Sequence, residues 1–471
     1  MVVFEDERPV AYARAMKKGT SFSSWSSFAL RQAVAGAVLV ASVASADCMA
    51  ASSVPPAVPM RALDQDIQAV RPKLVTWRRD IHSHPELSGQ EVRTSKLVAD
   101  HLRALGLEVT TEVGGHGVVG LLRGARPGKV VALRADMDAL PVKETTGLPF
   151  ASTVVAPYMG GESPVAHACG HDGHTAILMG VAEVLAHEKA RMAGTVKFIF
   201  QPAEEGVPEV PNGSTPVFGA RAMVAQGVME HPKVDAIFAL HIVPMMPAGV
   251  VGYRPGPILA SGDSFEIQIE GKGTHGAVPW KGVDPIVASA QVVVDLQTIV
   301  SRQLDISREP AVISIGSIHG GNRSNIIPES VKMQGTLRTF DEGMREDAKR
   351  RITAMTEAVA TANGAKGTVQ FANPGYAVTS NDESLTERVV PVLRAATDGK
   401  LAISPKVSAS EDFSEYQKIA PGVYVFLGAT PKGKTPATAA SNHAPNFDFD
   451  EDALPVGVRV LSALALDYLS R

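Results

Sequence analysis

Cysteine is scarce, with two in 471 residues. That is too few for the disulfide framework that holds small secreted domains together. Neither sign of charge dominates, since 45 Lys and Arg face 49 Asp and Glu. The chain therefore carries no basic footprint for nucleic acid. Long apolar runs are missing too: the stretch from Ala33 to Val43 falls short of the roughly 20 residues a bilayer span needs. Neither an internal repeat nor a low-complexity tract is evident. What remains, 45% apolar and 20% charged residues, is ordinary globular composition. The length predicts two or three domains.

Lys17, Lys18 and Arg31 precede the apolar stretch, and Ala44-Ser45-Ala46 offers small residues at a cleavage position. This pattern predicts a secretory signal over 1–46 and a linker over 47–60. The mature protein is then expected to be periplasmic or secreted, with no stable membrane anchor. Glu5, Asp6 and Glu7 are acidic where such a signal is basic, so translation is expected to start at Met16. A disulfide between Cys48 and Cys169 is compatible with export, but Cys169 has a better use in a motif described below.

Leu63, Ile67, Val70, Leu74, Trp77 and Ile81 recur at spacings of four and three, which predicts an amphipathic helix that Pro72 kinks or splits. The runs 129–135, 195–201 and 235–241 have strand character and alternate with helical stretches such as 175–188, which predicts an α/β layer with a largely parallel sheet. A Pro- and Gly-rich insertion over 207–218 reads as a surface loop. From about Asp263 the order becomes strand 264–270, helix 285–303, strands 311–318 and 331–339, helix 345–362 and strand 368–372. That is the β-α-β-β-α-β order of a ferredoxin-like unit. The expected organisation is a catalytic domain built from two chain segments, 61–262 and 374–471, interrupted by an inserted ferredoxin-like lid over 263–373. A helix over 383–396, kinked at Pro391, and a strand over 423–427 belong to the C-terminal segment.

The apolar strands end in ligand-type residues: Asp136-Met137-Asp138, Glu204-Glu205 and His241. Ligands of open α/β sheets bind outside the carboxyl ends of the strands. His167-Ala-Cys169-Gly-His171-Asp172-Gly-His174 is the densest group of metal-ligand residues in the chain, and it opens a helix. Cys, His and carboxylate suit zinc and other borderline transition metals. Glu204 and Glu205 are expected to point opposite ways along an extended segment, one toward a metal and one toward a reacting water. His82 and His84 read as packing residues at the end of the first helix. Glu144, which follows the Asp136–Asp138 stretch, reads as an outer support of the site. Ser410-Glu411-Asp412 reads as shaping an acyl pocket or capping a helix.

The stretches RRDIHSHPELS (78–88), LRADMDALPVKE (133–144), HACGHDGHTAILMG (167–180), FQPAEEG (200–206), ALHIVP (239–244), GTHGAVPWKGVDPI (273–286), SNIIPE (324–329), GTLRTFD (335–341), SEDFSEY (410–416) and NHAPNFDFDE (442–451) cover nearly all of the chain after residue 60. In this order they resemble the metal-dependent amidohydrolases that include hippurate hydrolase, aminoacylase and the auxin-conjugate hydrolases, with carboxypeptidase relatives. The resemblance implies a metallo-aminopeptidase-like catalytic domain and a homodimer formed through the lid. It implies two divalent metal ions (manganese, zinc, cobalt or nickel) held by Cys169, His171, Glu205, His241 and His443. Glu204 is then the general base and Asp138 the carboxylate that orients a histidine ligand. In the wider family a metal-binding histidine stands where this chain has Asp136. His275, Asn325 and Arg338 are implied to bind the substrate carboxylate and scissile carbonyl, with His275 donating to the oxyanion.

The expected reaction is hydrolysis of an N-acyl amino acid by metal-activated water. The alternatives are a dipeptidase or carboxypeptidase, a deacetylase of the N-acetyl-diaminopimelate type, and a binding protein that kept the fold and lost the chemistry.

Overall fold

The stripe from Leu63 to Ile81 is buried, except for the half-buried Trp77, along one continuous helix, Met60–Ser83. Pro72 does not split it, contrary to the expectation from its missing N–H. Val70 and Leu74 on either side of it both sit fully in the core, so packing keeps the helix continuous across the proline. The same holds for Pro391 in the helix Glu383–Ala396, where Val389, Val392 and Leu393 are all buried. The computed structural model describes residues 60–207, 217–372 and 375–471. The expected signal over 1–46, the linker up to residue 59, most of the 207–218 loop and the 373/374 boundary lie outside the described residues.

The main sheet has eight strands. Their spatial order is Glu108–Val113, Gly117–Arg123, Ala193–Gln201, Arg126–Asp136, Ala236–Val243, Gly422–Gly428, Val251–Tyr253 and Leu401–Ile403. Its four central members run parallel to one another, and antiparallel pairings flank them. Three of the central strands are buried almost end to end, and Arg126–Asp136 is buried from Val131 onward, as both-face coverage requires. Helices Met60–Ser83, His171–Glu188 and Leu454–Leu469 pack with the sheet around the largest apolar cluster, which includes Leu74, Leu178, Phe198, Phe238 and Leu464.

A second, four-stranded antiparallel sheet is ordered Ala311–Gly320, Ser330–Thr339, Asp263–Glu270 and Lys366–Phe371. With helices Pro285–Thr298 and Glu342–Ala362 its elements run strand, helix, strand, strand, helix, strand along the chain. The first helix closes in a wider turn, Ile299–Gln303. The alternating burial of Asp263–Glu270 and Ser330–Thr339 shows one face packed on its own core of Ile267, Val292, Met333 and Ile352. A two-stranded ribbon, Thr274–His275 with Ile326–Ile327, hangs from this sheet. Among the described residues no helix is long and apolar enough to cross a membrane.

Candidate metal centre

The parallel strands deliver their carboxyl ends to one place. Arg126–Asp136 ends at Asp136, Ala193–Gln201 leads into a turn at Glu204 and Glu205, and Ala236–Val243 carries His241. The Cys169 segment joins them at the start of the helix His171–Glu188. Gly170, the residue before that helix, has φ 108°. This left-handed backbone is open to glycine at little cost, and it lets Cys169 and His171 turn toward the same side. From the C-terminal segment, His443 donates its amide to the Ala168 carbonyl at 2.6 Å, and the Asn442 amide group donates to the Cys169 carbonyl at 2.8 Å. His443 has φ 69°, a conformation that persists in a non-glycine residue only when its surroundings hold it.

Three overlapping groups of donor atoms result, each with all its members within 4.8 Å of one another: Cys169, His171 and His241; Cys169, Glu205 and His443; His171, Glu204 and Glu205. All five residues read as ligands, with Glu204, are thus brought together. Hydrogen bonds set the histidine tautomers. His171 Nδ1 lies 2.9 Å from the Asp138 carbonyl and 3.2 Å from its carboxylate, and His241 Nδ1 lies 2.8 Å from the Ile242 carbonyl. A carbonyl only accepts, so each Nδ1 carries a proton, and Nε2 is the ring atom left for a metal. Such outer partners orient metal-bound histidines. His241 Nε2 is 3.3 Å from Cys169 Sγ, and His443 Nε2 is 2.9 Å from Glu205.

The donor set fits divalent cations. His171 Nε2 is buried with no hydrogen-bond partner, an exception that calls for an explanation. Burial pushes the Cys169 thiol up, and the Cys169 thiol and Glu205 carboxylate beside His443 push its ring up to about 10. A cation would displace those protons, as metal binding to such ligands does. Burial, reinforced by the charges of Glu411, Glu205 and Asp412, drives the Glu204 carboxyl well above the usual range.

Asp136, His171 and His174 also lie within the same reach, but Asp136 and His174 are engaged in other bonds. Asp136 pairs with His174 Nδ1 at 2.6 Å and Arg134 at 2.6 Å, and His174 Nε2 accepts from the Ile242 amide at 2.8 Å. Asp136 is therefore tied into structure. Asp138 is also fully used: beside His171 it accepts from Ser88 Oγ at 2.6 Å and from the Glu205 amide at 3.0 Å.

Glu204 and Glu205 do not follow an extended segment, contrary to the expectation for residues just past a strand. The strand stops at Gln201, and Ala203 takes φ 53° in a turn. The turn leaves Glu204 buried and Glu205 half-buried. Arg338 lies half-buried with Nη1 2.8 Å from Ser410 Oγ, next to Glu411. His275 and Asn325 sit together on the exposed ribbon, where the Gly276 amide donates to the Asn325 carbonyl and His275 Nδ1 accepts from the Ala277 amide. The structure does not bring these two into the donor groups above.

Several residues beyond the motifs matter. Arg134 is fully buried and binds Asp136, Glu411 (2.8 Å) and Asp412 (3.0 Å). A lone arginine inside the run KVVALRAD was the available signal. Glu91 accepts from the Ala203 amide at 2.8 Å and is pushed up to about 8 by burial and by Asp138; nothing in its sequence context marked it. Of the two readings of Ser410-Glu411-Asp412, capping has support, since Asp412 accepts from the Ala220 amide at 2.7 Å at the head of helix Gly219–Ala225. His82 is buried between Asp172 and Glu144, and His84 is exposed. Glu144 lies against His82, whose other ring nitrogen meets Asp172 of the Cys169 motif.

Comparison with known proteins places this geometry. A model of peptidase family M20/M25/M40 matches residues 132–467. Thermostable carboxypeptidase 2 of Saccharolobus solfataricus is 40% identical over 410 residues, 87% of this chain and 98% of that protein. N-acetylcysteine deacetylase of Bacillus subtilis is 37% identical over 404 residues, 85% of this chain and 98% of that protein. The crystal structure of a dinuclear metal binding peptidase from the M20 family of Bacillus subtilis superposes with a TM-score of 0.70 at 34% identity. That match covers 86% of this chain and 99% of that one.

Proposed function

This chain belongs to peptidase family M20/M25/M40, and from that premise we propose that it cleaves the amide bond of N-acyl amino acids at a two-cation centre. That it is a metal-dependent amide hydrolase follows from the family; substrate, residue roles and location are our reading. Cys169, His171, Glu205, His241 and His443 would hold the cations, and manganese, zinc, cobalt and nickel all accept such donors. Cations bound there supply a water of lowered pKa and polarise the scissile carbonyl.

The chain's own groups do the rest. Glu204 takes a proton from the attacking water at its carboxylate and returns it to the leaving amine nitrogen. Asp138 fixes the His171 ring. Arg338 pairs with the free carboxylate of the amino acid, and its planar fork suits two parallel bonds. His275 donates to the oxyanion and Asn325 to the substrate, once residues 263–373 move over the site as a lid. The exposed Ile286, Val287, Val294, Val312 and Ile318 of the second sheet and its first helix support a homodimer through that region. The basic, apolar and small-residue pattern over 1–46 supports reading the enzyme as periplasmic or secreted.

The observation that carries this reading is the convergence of five donor side chains, with Glu204 against two of them. The test is a hydrolysis assay on N-acetyl amino acids with the metal-loaded protein, alongside metal analysis. Chelation should abolish turnover, and Glu204→Gln should lower it by about a thousandfold with metal content unchanged. A Glu204→Gln protein that turned over normally would remove the base from this account. The carboxypeptidase relative favours a second reading, cleavage of a peptide's C-terminal bond. Preference for unblocked dipeptides over N-acetyl amino acids would decide for it.

A further inference from the structure

The turn that presents Glu204 is held by three polar contacts to its backbone, one for each of three successive residues. The Ala203 amide donates to Glu91 at 2.8 Å, and the Glu205 amide donates to Asp138 at 3.0 Å. Between them, the Glu204 carbonyl accepts from the Tyr376 hydroxyl at 2.8 Å. Glu91 and Asp138 belong to the frame of the main sheet. Tyr376 does not. It stands where the chain returns from the second sheet, five residues after the strand Lys366–Phe371 ends.

The backbone of Tyr376 is fixed to the outgoing crossing. Its amide donates to the Gly262 carbonyl at 2.8 Å, and the Gly262 amide donates to its carbonyl at 2.9 Å. Gly262 directly precedes the strand Asp263–Glu270. Both crossings are tightly packed there. A Cβ on Gly262 would lie 2.6 Å from Arg338 Nη1 and from Ser410 Oγ, and one on Gly375 would lie 2.4 Å from Asp263 Oδ1 and 2.7 Å from the Gly262 carbonyl. Asp263 is held in turn by Arg345 at 2.7 and 2.8 Å, from the helix Glu342–Ala362. A continuous set of short bonds thus runs from the second sheet, through the paired crossings, to the main chain of Glu204.

We propose that Tyr376 is a positioning residue for Glu204, by which the placement of the second sheet is transmitted to the carboxylate that handles the proton. This rests on the reading of Glu204 as the base. A carboxylate displaced by a fraction of an ångström no longer meets the attacking water in line, while the groups that bind substrate and metal stay where they are. The Tyr376 hydroxyl is suited to a fixed role, because burial pushes its pKa far up and it remains a donor.

Tyr376→Phe in the full, metal-loaded chain removes the hydroxyl and little else. The expected result is a kcat lowered roughly tenfold, below the hundredfold that a displacement of about 1 Å costs. KM and bound metal should stay within twofold of the parent. Amide hydrogen exchange of the 200–207 peptide should speed up. A merely structural tyrosine would lower the melting temperature and leave the kcat of the folded protein alone, and that outcome overturns the inference. If Tyr376→Phe does not fold, Gly375→Ala displaces the same crossing and should lower kcat in the same way; unchanged kcat there also overturns it. The parent and Glu204→Gln proteins run beside them separate the two levels. A parent whose turnover survives Glu204→Gln refutes the base and this inference with it. A parent that depends on Glu204 while Tyr376→Phe keeps full kcat refutes the role of Tyr376 alone.

Discussion

At the strand ends of the main sheet, side chains are held from several directions at once. Asp138 has three partners, Arg134 has three carboxylates and Gln201, and the Glu204 turn is fixed at three successive residues. On the ribbon of the second sheet, His275 and Asn325 are exposed, and the bonds around them run between neighbours on the ribbon itself. One region has its geometry built in before substrate arrives. The other has residue types suited to substrate but no fixed place for them. The contrast separates donor groups whose neighbours already hold them in place, as preorganised sites require, from ribbon residues that would reach a substrate only if the second sheet closed over it.

That contrast breaks first at Arg134. If the frame is over-determined by its buried charges, Arg134→Met leaves Asp136, Glu411 and Asp412 buried without their cation. Stability should fall by about 3–5 kcal/mol. Urea unfolding of the variant against the parent measures this, and a loss under about 1 kcal/mol would show that the frame stands without the arginine.

A second probe is pH. Burial opposes charge on His82, but hydrogen bonds to Asp172 and Glu144 outweigh it and push the ring up to about 9 from 6.5. A raised folded-state pKa means stability that is complete below pH 6.5 and lost as pH climbs through 9. The size is on the order of 3 kcal/mol at 1.36 kcal/mol per unit. Other groups titrate in this window, so the readout is the difference between the parent and His82→Gln, measured at pH 6 and pH 9.5. The advantage of the parent should shrink as pH rises; an advantage that grows would reverse the assigned charge.

What was legible in the chain follows the same division. The ligand-type residues at Asp138, Glu204, Glu205 and His241 could be read because an apolar strand announces its own end, and Cys169 and His171 because their motif is dense. The order of the second sheet was legible from alternation and helical periodicity. Partners supplied from far along the chain were not: Glu91 beneath the Glu204 turn, Tyr376 at the crossing, and Glu411 and Asp412 on Arg134 are over 100 residues from what they hold. Periodicity carries no signal for such contacts. The break considered at Pro72 did not appear for a related reason, since local backbone preference was outvoted by burial on both sides of the proline.

His275 is where the comparison is sharpened most. Being exposed, it should cost little to remove, and His275→Ala is expected to leave stability within about 0.5 kcal/mol. If it donates to the oxyanion after closure, kcat/KM should still fall by about a hundredfold, or 2.7 kcal/mol. Unchanged activity would mean that the ribbon lies outside the reaction and that the two regions differ only as core and surface do. A loss of activity raises the further question of which copy supplies the histidine. Mixing His275→Ala with Glu204→Gln answers it. In a hybrid pair, one site combines Glu204 from the first chain with His275 from the second, so activity returns only if the ribbon reaches across to its partner. If each chain completes its own site, every site in the mixture lacks one of the two groups, and the mixture stays as inactive as its components.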